Sequence, residues 1–486
     1  MATRKIPNHP NTNKNNLKGK QNSMATATIP HLPVLVIHHV LQFLPTKLAI
    51  RMSYLCKQWE GLWSSVPVLD FDEEDGPDDR LQHAKFINFL DRCLAFPKKY
   101  EHLDKFRLRM TLFSVEDEKK VLECLRFAVE RRVKELDINI NNTYHCDWYC
   151  LSWRWNVLNA KPIVILNLEN VTISDNHQPI SLPSLQTLSL RDVSLTAASL
   201  SALISGCPCI HYLSLLTSFF SFHYYSISLQ TLLDAKSLTY LNIECGRIWG
   251  DNNNDPISLP SLKTLFLRVV TLDYYFALSS LISGCPCIQH LWLTGYLQPY
   301  YKLSIQTLLD AKSLTSLSLK RVEILPGDDN INNDRKAVGL LSLRTMSLER
   351  VMLDDMTFGR LMSGSPCLEH LSVSLISDHI HIPRSSIKSL QVTNINSTTF
   401  RVSGAKNLES FTLISECSTQ IESIRLDCCK NLKYLNIRSP DLQEFTLEFN
   451  GRKDRVKATI DIQALDYPII NFLGKGSPCH GNMFLH

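Results

Sequence analysis

The sequence predicts an α/β chain: a short three-helix unit, then a solenoid whose parallel strands stack as a ladder and bend into a horseshoe. Three observations predict it. A block of about 78 residues recurs along the chain. Each block holds three units of about 26 residues built on the pattern L-x-x-L-x-L. Ahead of the repeats, apolar residues recur at helical rather than strand spacing.

The repeats are the strongest signal. SLPSLQTLSLRDVSL at 181–195 returns as SLPSLKTLFLRVVTL at 258–272. ALISGCPCIHYLSL at 202–215 returns at 280–293 as SLISGCPCIQHLWL, and at 360–373 as RLMSGSPCLEHLSV. LQTLLDAKSLTYLNI at 229–243 returns at 305–319 as IQTLLDAKSLTSLSL. Cores such as Leu185-Leu188-Leu190, Leu262-Leu265-Leu267 and Leu314-Leu317-Leu319 at this period are the leucine-rich-repeat signature. The last two apolar residues of each core should point into the interior of a short strand. In the Cys-containing units, Leu200, Leu203 and Ile204 make a helical stripe for the return segment, and Gly206 is placed to cap it.

Composition fits a repeat array. The chain has 486 residues, 44% hydrophobic and 20% charged, enough to bury a core. A net charge of +4 excludes a whole-molecule nucleic-acid binder, which would carry a clustered basic excess, and also an acidic-tail protein. The 15 cysteines are odd in number and come after no signal-peptide pattern, so reduced thiols in the cytoplasm or nucleus are expected. The longest apolar stretch, residues 29–45, contains His31, His38, His39 and three prolines, and it falls short of the roughly 18 residues a membrane helix needs.

The N-terminal residues 1–28 are polar, with Arg4, Lys5, Lys14, Lys18 and Lys20 and no acid, and read as a disordered arm in which Met24 could serve as an alternative start. Residues 29–70 read as three short helices. Val36, Ile37, Val40, Leu41 and Leu44 form one apolar stripe, Pro45 ends it, and Thr46 is placed to cap the next helix. Leu48, Met52, Leu55, Trp59, Leu62 and Trp63 continue the apolar face. So small a unit has a marginal core and surplus apolar surface that wants a partner. Residues 71–80 read as a solvated acidic linker; taken as a calcium loop with Gly76 at its sixth position, it would put Phe71 where a carboxylate is required. Two helices are expected around 81–96 and 115–133, with strands at 106–112 and 133–140. The solenoid is expected over 81–450, with 451–486 as a terminal cap and tail.

Little in the chain points to chemistry. The pairs Cys207/Cys209 and Cys285/Cys287 have one intervening residue rather than the two to four of zinc sites, and the third copy has Ser365 in the first place. They read as structural cysteines. His145, Cys146 and Cys150, the pair Cys428-Cys429, and Gly474-Lys475-Gly476-Ser477 are weak hints of metal or phosphate binding. No H-E-x-x-H, G-x-S-x-G or dinucleotide fingerprint is present. No catalytic residue, cofactor or metal is expected.

The repeats offer a surface instead. Positions alternating with the buried strand residues face the open, concave side. They include Tyr212, Tyr240, Asn242, Phe266, Arg268, His290, Trp292, Lys320, Glu349, His370 and Tyr434, interleaved with Ser189, Ser214, Ser316, Ser318, Ser347 and Ser372. Tyr212, Tyr240, Phe266, Arg268, His290 and Trp292 are the candidate substrate contacts, since aromatic and Arg side chains anchor interfaces. The alternative is a merely solvated, Ser-rich sheet face.

Residues 32–71 resemble an F-box of the plant F-box/leucine-rich-repeat (F-box/FBD/LRR) family. The stretch carrying the resemblance is Leu32-Pro33, then residues 40–47 (VLQFLPTK), Arg51, residues 55–59 (LCKQW) and residues 62–71 (LWSSVPVLDF). The S-G-C-P-C-I and S-G-S-P-C-L-E-H-L units look like the repeats of the same family, some members of which end in an FBD domain; no such ending is recognisable after residue 450. The resemblance implies a substrate receptor of a cullin–RING (SCF) ubiquitin ligase, docked on a Skp-family adaptor and through it on a cullin. By motif position, Leu32, Pro33, Ile37, Val40, Leu41, Leu44, Pro45, Leu55, Trp59 and Trp63 would face the adaptor. Where the family usually has acids, this chain has Val34-Leu35 and Leu48, which forgoes roughly 0.3–1 kcal/mol of helix N-terminus stabilisation for each. Two other readings remain: a repeat scaffold with a degenerate F-box, and a small-molecule receptor using the concave face around Trp292 and Phe266.

Overall fold

The computed structural model describes residues 32–54, 57–73, 80–97, 101–141, 151–153, 161–173, 180–218, 224–250, 257–272, 278–296, 301–326, 339–374, 379–381, 386–393, 399–414, 423–426, 431–438, 444–448, 457–461 and 469–473. The arm at 1–28, Leu55, His145, Cys146, Cys150, Cys428-Cys429 and Gly474–Ser477 lie outside them.

The N-terminal unit holds two α-helices, α1 (Val34–Leu41) and α2 (Thr46–Met52), then 3-10 turns at Lys57–Trp59 and Leu62–Ser65. Pro33 and Pro45 precede the two helices with fixed extended backbones, and neither helix has a side-chain cap or an acid in its first turn. Thr46 does not cap α2. Its buried hydroxyl instead accepts a hydrogen bond from Asp70 N at 2.8 Å, tying the unit to the first strand of the repeats.

The repeats form a single parallel ladder. Its rungs are β1 (Val68–Asp72), β2 (Lys105–Met110), β3 (Glu135–Ile140), β4 (Ile165–Glu169), β5 (Thr187–Arg191), β6 (Tyr212–Leu216), β7 (Tyr240–Trp249), β8 (Thr264–Leu272), β9 (His290–Thr294), β10 (Ser316–Lys320), β11 (Thr345–Glu349), β12 (His370–Ser374), β13 (Ser389–Thr393), β14 (Ser410–Ile414), β15 (Tyr434–Arg438) and β16 (Lys457–Asp461). Each pairs in parallel with the next, and Tyr225–Ser228 pairs with the far half of β7. The ladder extends past the sequence expectation at both ends. Its first rung spans the end of the expected helical unit and the start of the expected acidic linker, with Leu69 and Phe71 buried. Its last lies within the expected terminal cap.

Register is strict because the leucine pattern has period two within each rung. Leu188, Leu213, Leu241, Leu265, Leu291 and Leu317 form one buried row, and Leu190, Leu215, Ile243, Leu267, Leu293 and Leu319 another. A one-residue slip would turn both rows to solvent, and each buried leucine contributes roughly 1.5–3 kcal/mol. Among the described residues, seven helices return the chain behind the ladder: α3 (Arg80–Ala95), α4 (Glu118–Glu130), α5 (Ala197–Ser205), α6 (Leu229–Asp234), α7 (Leu278–Ser283), α8 (Ile305–Asp310) and α9 (Asp355–Ser363). Side-chain caps start several of them, as where Thr196 accepts from Ser199 N at 3.2 Å and Asp354 from Thr357 N at 2.6 Å. Gly206 does end α5, but with a right-handed backbone (φ −74°), so the glycine is not needed for a left-handed cap. A Cβ there would collide with the Ile180 carbonyl.

The three Cys-containing copies explain their own variation. Cys207 Sγ donates to Leu203 O at 3.0 Å, Cys285 Sγ to Leu281 O at 3.1 Å, and Ser365 Oγ to Leu361 O at 2.8 Å. One short donor closes the same turn in each. Burial pushes both thiols up to about 12, so they stay protonated.

Candidate protein-interaction surfaces

The helical unit has its own small core. Ile37, Leu41, Ala49, Trp59, Trp63 and Val66 are buried together, with Leu32, Leu44, Met52 and Leu62 packed around them. This corrects the expected adaptor face. Ile37, Leu41, Trp59 (4% exposed) and Trp63 (8% exposed) point inward, because they supply the stripe that lets so short a segment fold. Trp63 also packs on Phe96 of the segment after α3, with ring centroids 4.9 Å apart. Leu32, Leu44 and Pro45 are half-buried, whereas Pro33 and Val40 are exposed. The outward apolar surface falls on neighbours that the motif did not single out: Val34, Leu35 (81% exposed), Val36, Phe43 (72% exposed), Leu48 and Tyr54. Val34, Leu35 and Leu48, noted in the sequence as departures from the family pattern, are all exposed and add to this apolar surface. The signal was available, since a helix cannot bury Val34, Leu35, Val36 and Ile37 on one face.

The ladder presents a second surface on the side away from the core. Its side chains fall into rows across the rungs, and the chemistry of the rows changes along the chain. From β1 to β5 it is charged. Arg107 lies between Asp70 (3.3 Å), Asp72 (3.9 Å) and Asp137 (3.8 Å). Lys105 pairs with Glu135 at 2.5 Å and Arg191 with Glu169 at 3.8 Å. Burial raises the carboxyls of Asp70 and Asp137 despite Arg107, and that of Glu169 despite Arg191.

At the edge of this stretch sits a buried ionic clamp. Glu73, within the expected solvated linker, is buried. Its Oε2 accepts from Thr111 N at 2.9 Å and Leu112 N at 3.2 Å, and its Oε1 meets His83 Nδ1 at 2.7 Å. His83 Nε2 meets Asp117 Oδ2 at 3.1 Å, and Asp117 also accepts from Ser114 N and Oγ. The hydrogen bonds to Asp117 and Glu73 outweigh burial and push His83 up to about 9. Burial raises both acids, but these hydrogen bonds leave each below its ordinary value. The solvated-linker expectation is therefore corrected at Phe71 and Glu73.

From β6 to β9 the face is aromatic. Tyr212 and Tyr240 stack in register, with centroids 4.3 Å apart and planes at 8°. Phe266 and Trp292, one row over on β8 and β9, lie 5.7 Å apart, and His290 stacks on Trp292 at 5.8 Å and 11°. Five rings thus cover four adjacent rungs, about 14 Å at the usual strand spacing. The sequence-chosen aromatics come together as one half-buried platform. Arg268 stands apart: its Nη1 is 2.7 Å from Glu244 Oε1, which commits it to an ion pair on the platform's downstream rim. Past β9 the face turns to Ser316, Ser318, Ser347 and Ser372. A shallow polar groove of about 380 Å³ lies farther along, lined by Arg344, Cys367, Glu369, Lys388 and Glu409. No described helix is long and apolar enough to cross a membrane.

A small helical unit with exposed apolar surface, set at the head of a leucine-rich-repeat ladder, defines an F-box/leucine-rich-repeat protein. The comparisons place it within that class. The model of the LRR repeats of FBD-associated F-box protein At5g56370 matches residues 121–234 and 298–461, the F-box model matches 29–71, and a leucine-rich-repeat model matches 261–286. The chain belongs to this plant F-box/LRR family. It is 28% identical over 274 residues to the F-box/FBD/LRR-repeat protein At2g26030 of Arabidopsis thaliana, covering 51% of this chain and 58% of that protein. It is 30% identical over 263 residues to the F-box/LRR-repeat protein At3g59200 of the same plant, covering 52% and 46%. The chain thus spans about half the length of the curated relatives it matches. Among solved structures, an internalin of Listeria monocytogenes aligns with 79% of this chain and 96% of its own, at 13% identity and a TM-score of 0.42.

Proposed function

We propose that this chain is the substrate-receptor subunit of an SCF-type (cullin–RING) ubiquitin ligase. The helical unit docks on a Skp-family adaptor, and through it on a cullin, while the ladder recruits a protein to be ubiquitinated in the cytoplasm or nucleus. The chain does no bond-making of its own. It raises the substrate's local concentration at the charged conjugating enzyme, so its contribution is proximity.

The observation supporting this is the exposed apolar row over α1 and α2, standing on a core complete without it. An isolated patch of that kind marks a docking site, and it falls within the F-box match. A second reading, a repeat scaffold that engages no ligase, is favoured by Val34-Leu35 and Leu48 in place of the usual acids.

The test is binding of the full chain to a purified plant Skp-family adaptor. Val40→Asp with Phe43→Asp should abolish binding while leaving the melting temperature unchanged, since both side chains are exposed. Trp59→Ala is unsuited to the purpose, because it would remove core. A folded chain that does not bind would sink the ligase reading, and recovery of binding by Val34→Glu with Leu35→Asp would trace the defect to the missing acids.

A further inference from the structure

The ladder's upstream rim, on the side from which each rung enters, changes character along the chain. From β11 onward its strand-entry charges are matched between neighbouring units, Arg344 with Glu369, Lys388 with Glu369 at 2.8 Å and Lys433 with Glu409 at 2.8 Å, while Lys406 in the turn before β14 has no ion-pair partner among the described residues. Beside the aromatic platform they are not. Lys236, Lys263 and Lys312 enter β7, β8 and β10, all are exposed, and none has an ion-pair partner among the described residues. On the opposite rim the charges cancel, Arg268 with Glu244 and Lys320 with Glu349 at 2.6 Å. The platform therefore has three lysines outside any ion pair along one edge, with the Asp234 and Asp310 carboxylates two residues before two of them taken up by Gln230 and Gln306, and paired charges along the other edge.

We infer that the platform takes an acidic peptide segment: one or two aromatic or large aliphatic side chains seated on Tyr240, Phe266 and Trp292, with Asp or Glu residues beside them reaching Lys236, Lys263 and Lys312. This names the chemical class of substrate segment for the receptor proposed above, and rests on that reading. Lys263 precedes Phe266 by three residues, about 10 Å along a strand. An extended peptide lying along the rungs would place its carboxylate two to four positions from the anchor. The rings supply contact area at little entropic cost, and the lysines supply direction.

The test is selection of a random twelve-residue phage library on the immobilised full chain. The expected consensus has an aromatic or large aliphatic residue with Asp or Glu two to four positions away. A synthetic peptide of that consensus should lose about tenfold or more in affinity on Phe266→Ser with Trp292→Ser. Because that variant could perturb the fold, Lys236→Gln, Lys263→Gln and Lys312→Gln are combined in a second one. These exposed changes should leave melting unchanged, weaken the peptide about tenfold, and remove most of its salt dependence. A basic or purely apolar consensus, no enrichment, or a peptide indifferent to the lysine variant would overturn the inference. Adaptor binding by the same preparation is scored separately, so a failed ligase reading and a failed peptide reading are told apart.

Discussion

The charged stretch from β1 to β5 and the aromatic stretch from β6 to β9 share one ladder, one register and two continuous buried apolar rows, and differ in what points away from the core. In the first, nearly every charge is answered from the next rung, and Arg107 alone faces three carboxylates. In the second, rings meet rings and the neighbouring lysines go unanswered. The face of a parallel ladder can be spent on internal cohesion or left available to a partner. A charge satisfied by its neighbour has little attraction left for a ligand, whereas a stacked ring keeps its outer face. On the proposed reading, the first stretch serves the fold and the second serves recognition.

The strongest way to break it is Arg107→Leu. That change leaves Asp70 and Asp72 on β1 and Asp137 on β3, the rungs on either side of Arg107, without their shared cation. Removing one partner of a partly buried cluster costs roughly 2–3 kcal/mol. The pH dependence gives the signature. Asp70 and Asp137 have raised pKa values in the folded chain, so the folded state binds protons more readily than the unfolded one. Their stabilising effect is present at low pH and lost as pH rises through the raised values. The deficit of Arg107→Leu should therefore shrink as pH falls towards about 4, the ordinary carboxylate value, in denaturant melts run across that range. A pH-independent deficit would mean that the cluster is packing rather than electrostatics.

The second test concerns the His83 clamp, with an expected cost of roughly 1.5–3 kcal/mol for charged hydrogen bonds. His83 has its folded value raised to about 9 from an unfolded value of 6.5. Its contribution is complete below pH 6.5 and is lost as pH rises through about 9. Glu73 and Asp117 have lowered values, so theirs is present above the ordinary carboxylate range and lost on acidification. The wild-type chain should lose stability between pH 6.5 and about 9, and His83→Gln should remove that slope. An unchanged alkaline slope would dissociate the clamp from stability.

Much of this was legible in the sequence, and the gaps have physical causes. The rungs were legible because Leu-x-Leu at a fixed period admits one register. The first rung was not, because Asp70, Asp72 and Glu73 gave the stretch a linker's composition. Yet Leu69 and Phe71 alternate as strand residues do. Glu73 could not be read as buried, since its partners Thr111 and Leu112 arrive from 38 and 39 residues away. The residues of positive φ at the ends of rungs or at the bends within β7 and β8 divide in the same way. Asn170 and Asp192 carry positive φ as such residues often do, while Cys245, Val269, Arg321 and Arg350 adopt it with no local sign. In the helical unit the period was right, but the face assigned to the adaptor included the core, because a spacing pattern does not say which side is wet.

The smallest effect separates matched from unmatched charge on one rim. Glu369 sits between Arg344 and Lys388, and its carboxyl is held below the ordinary value by Lys388 first and Arg344 after it. Lys263 has no such neighbour among the described residues. Exposed pairs contribute little and are screened by salt. Glu369→Gln should therefore lower the melting temperature slightly in low salt and not at all in high salt. Lys263→Gln should leave it unchanged in both. If Lys263→Gln were the more destabilising, the lysine would serve the fold, and the lysine edge beside the rings would lose its claim to a partner. If it is silent in melting yet weakens peptide binding, charge left unanswered within the chain is charge directed outward.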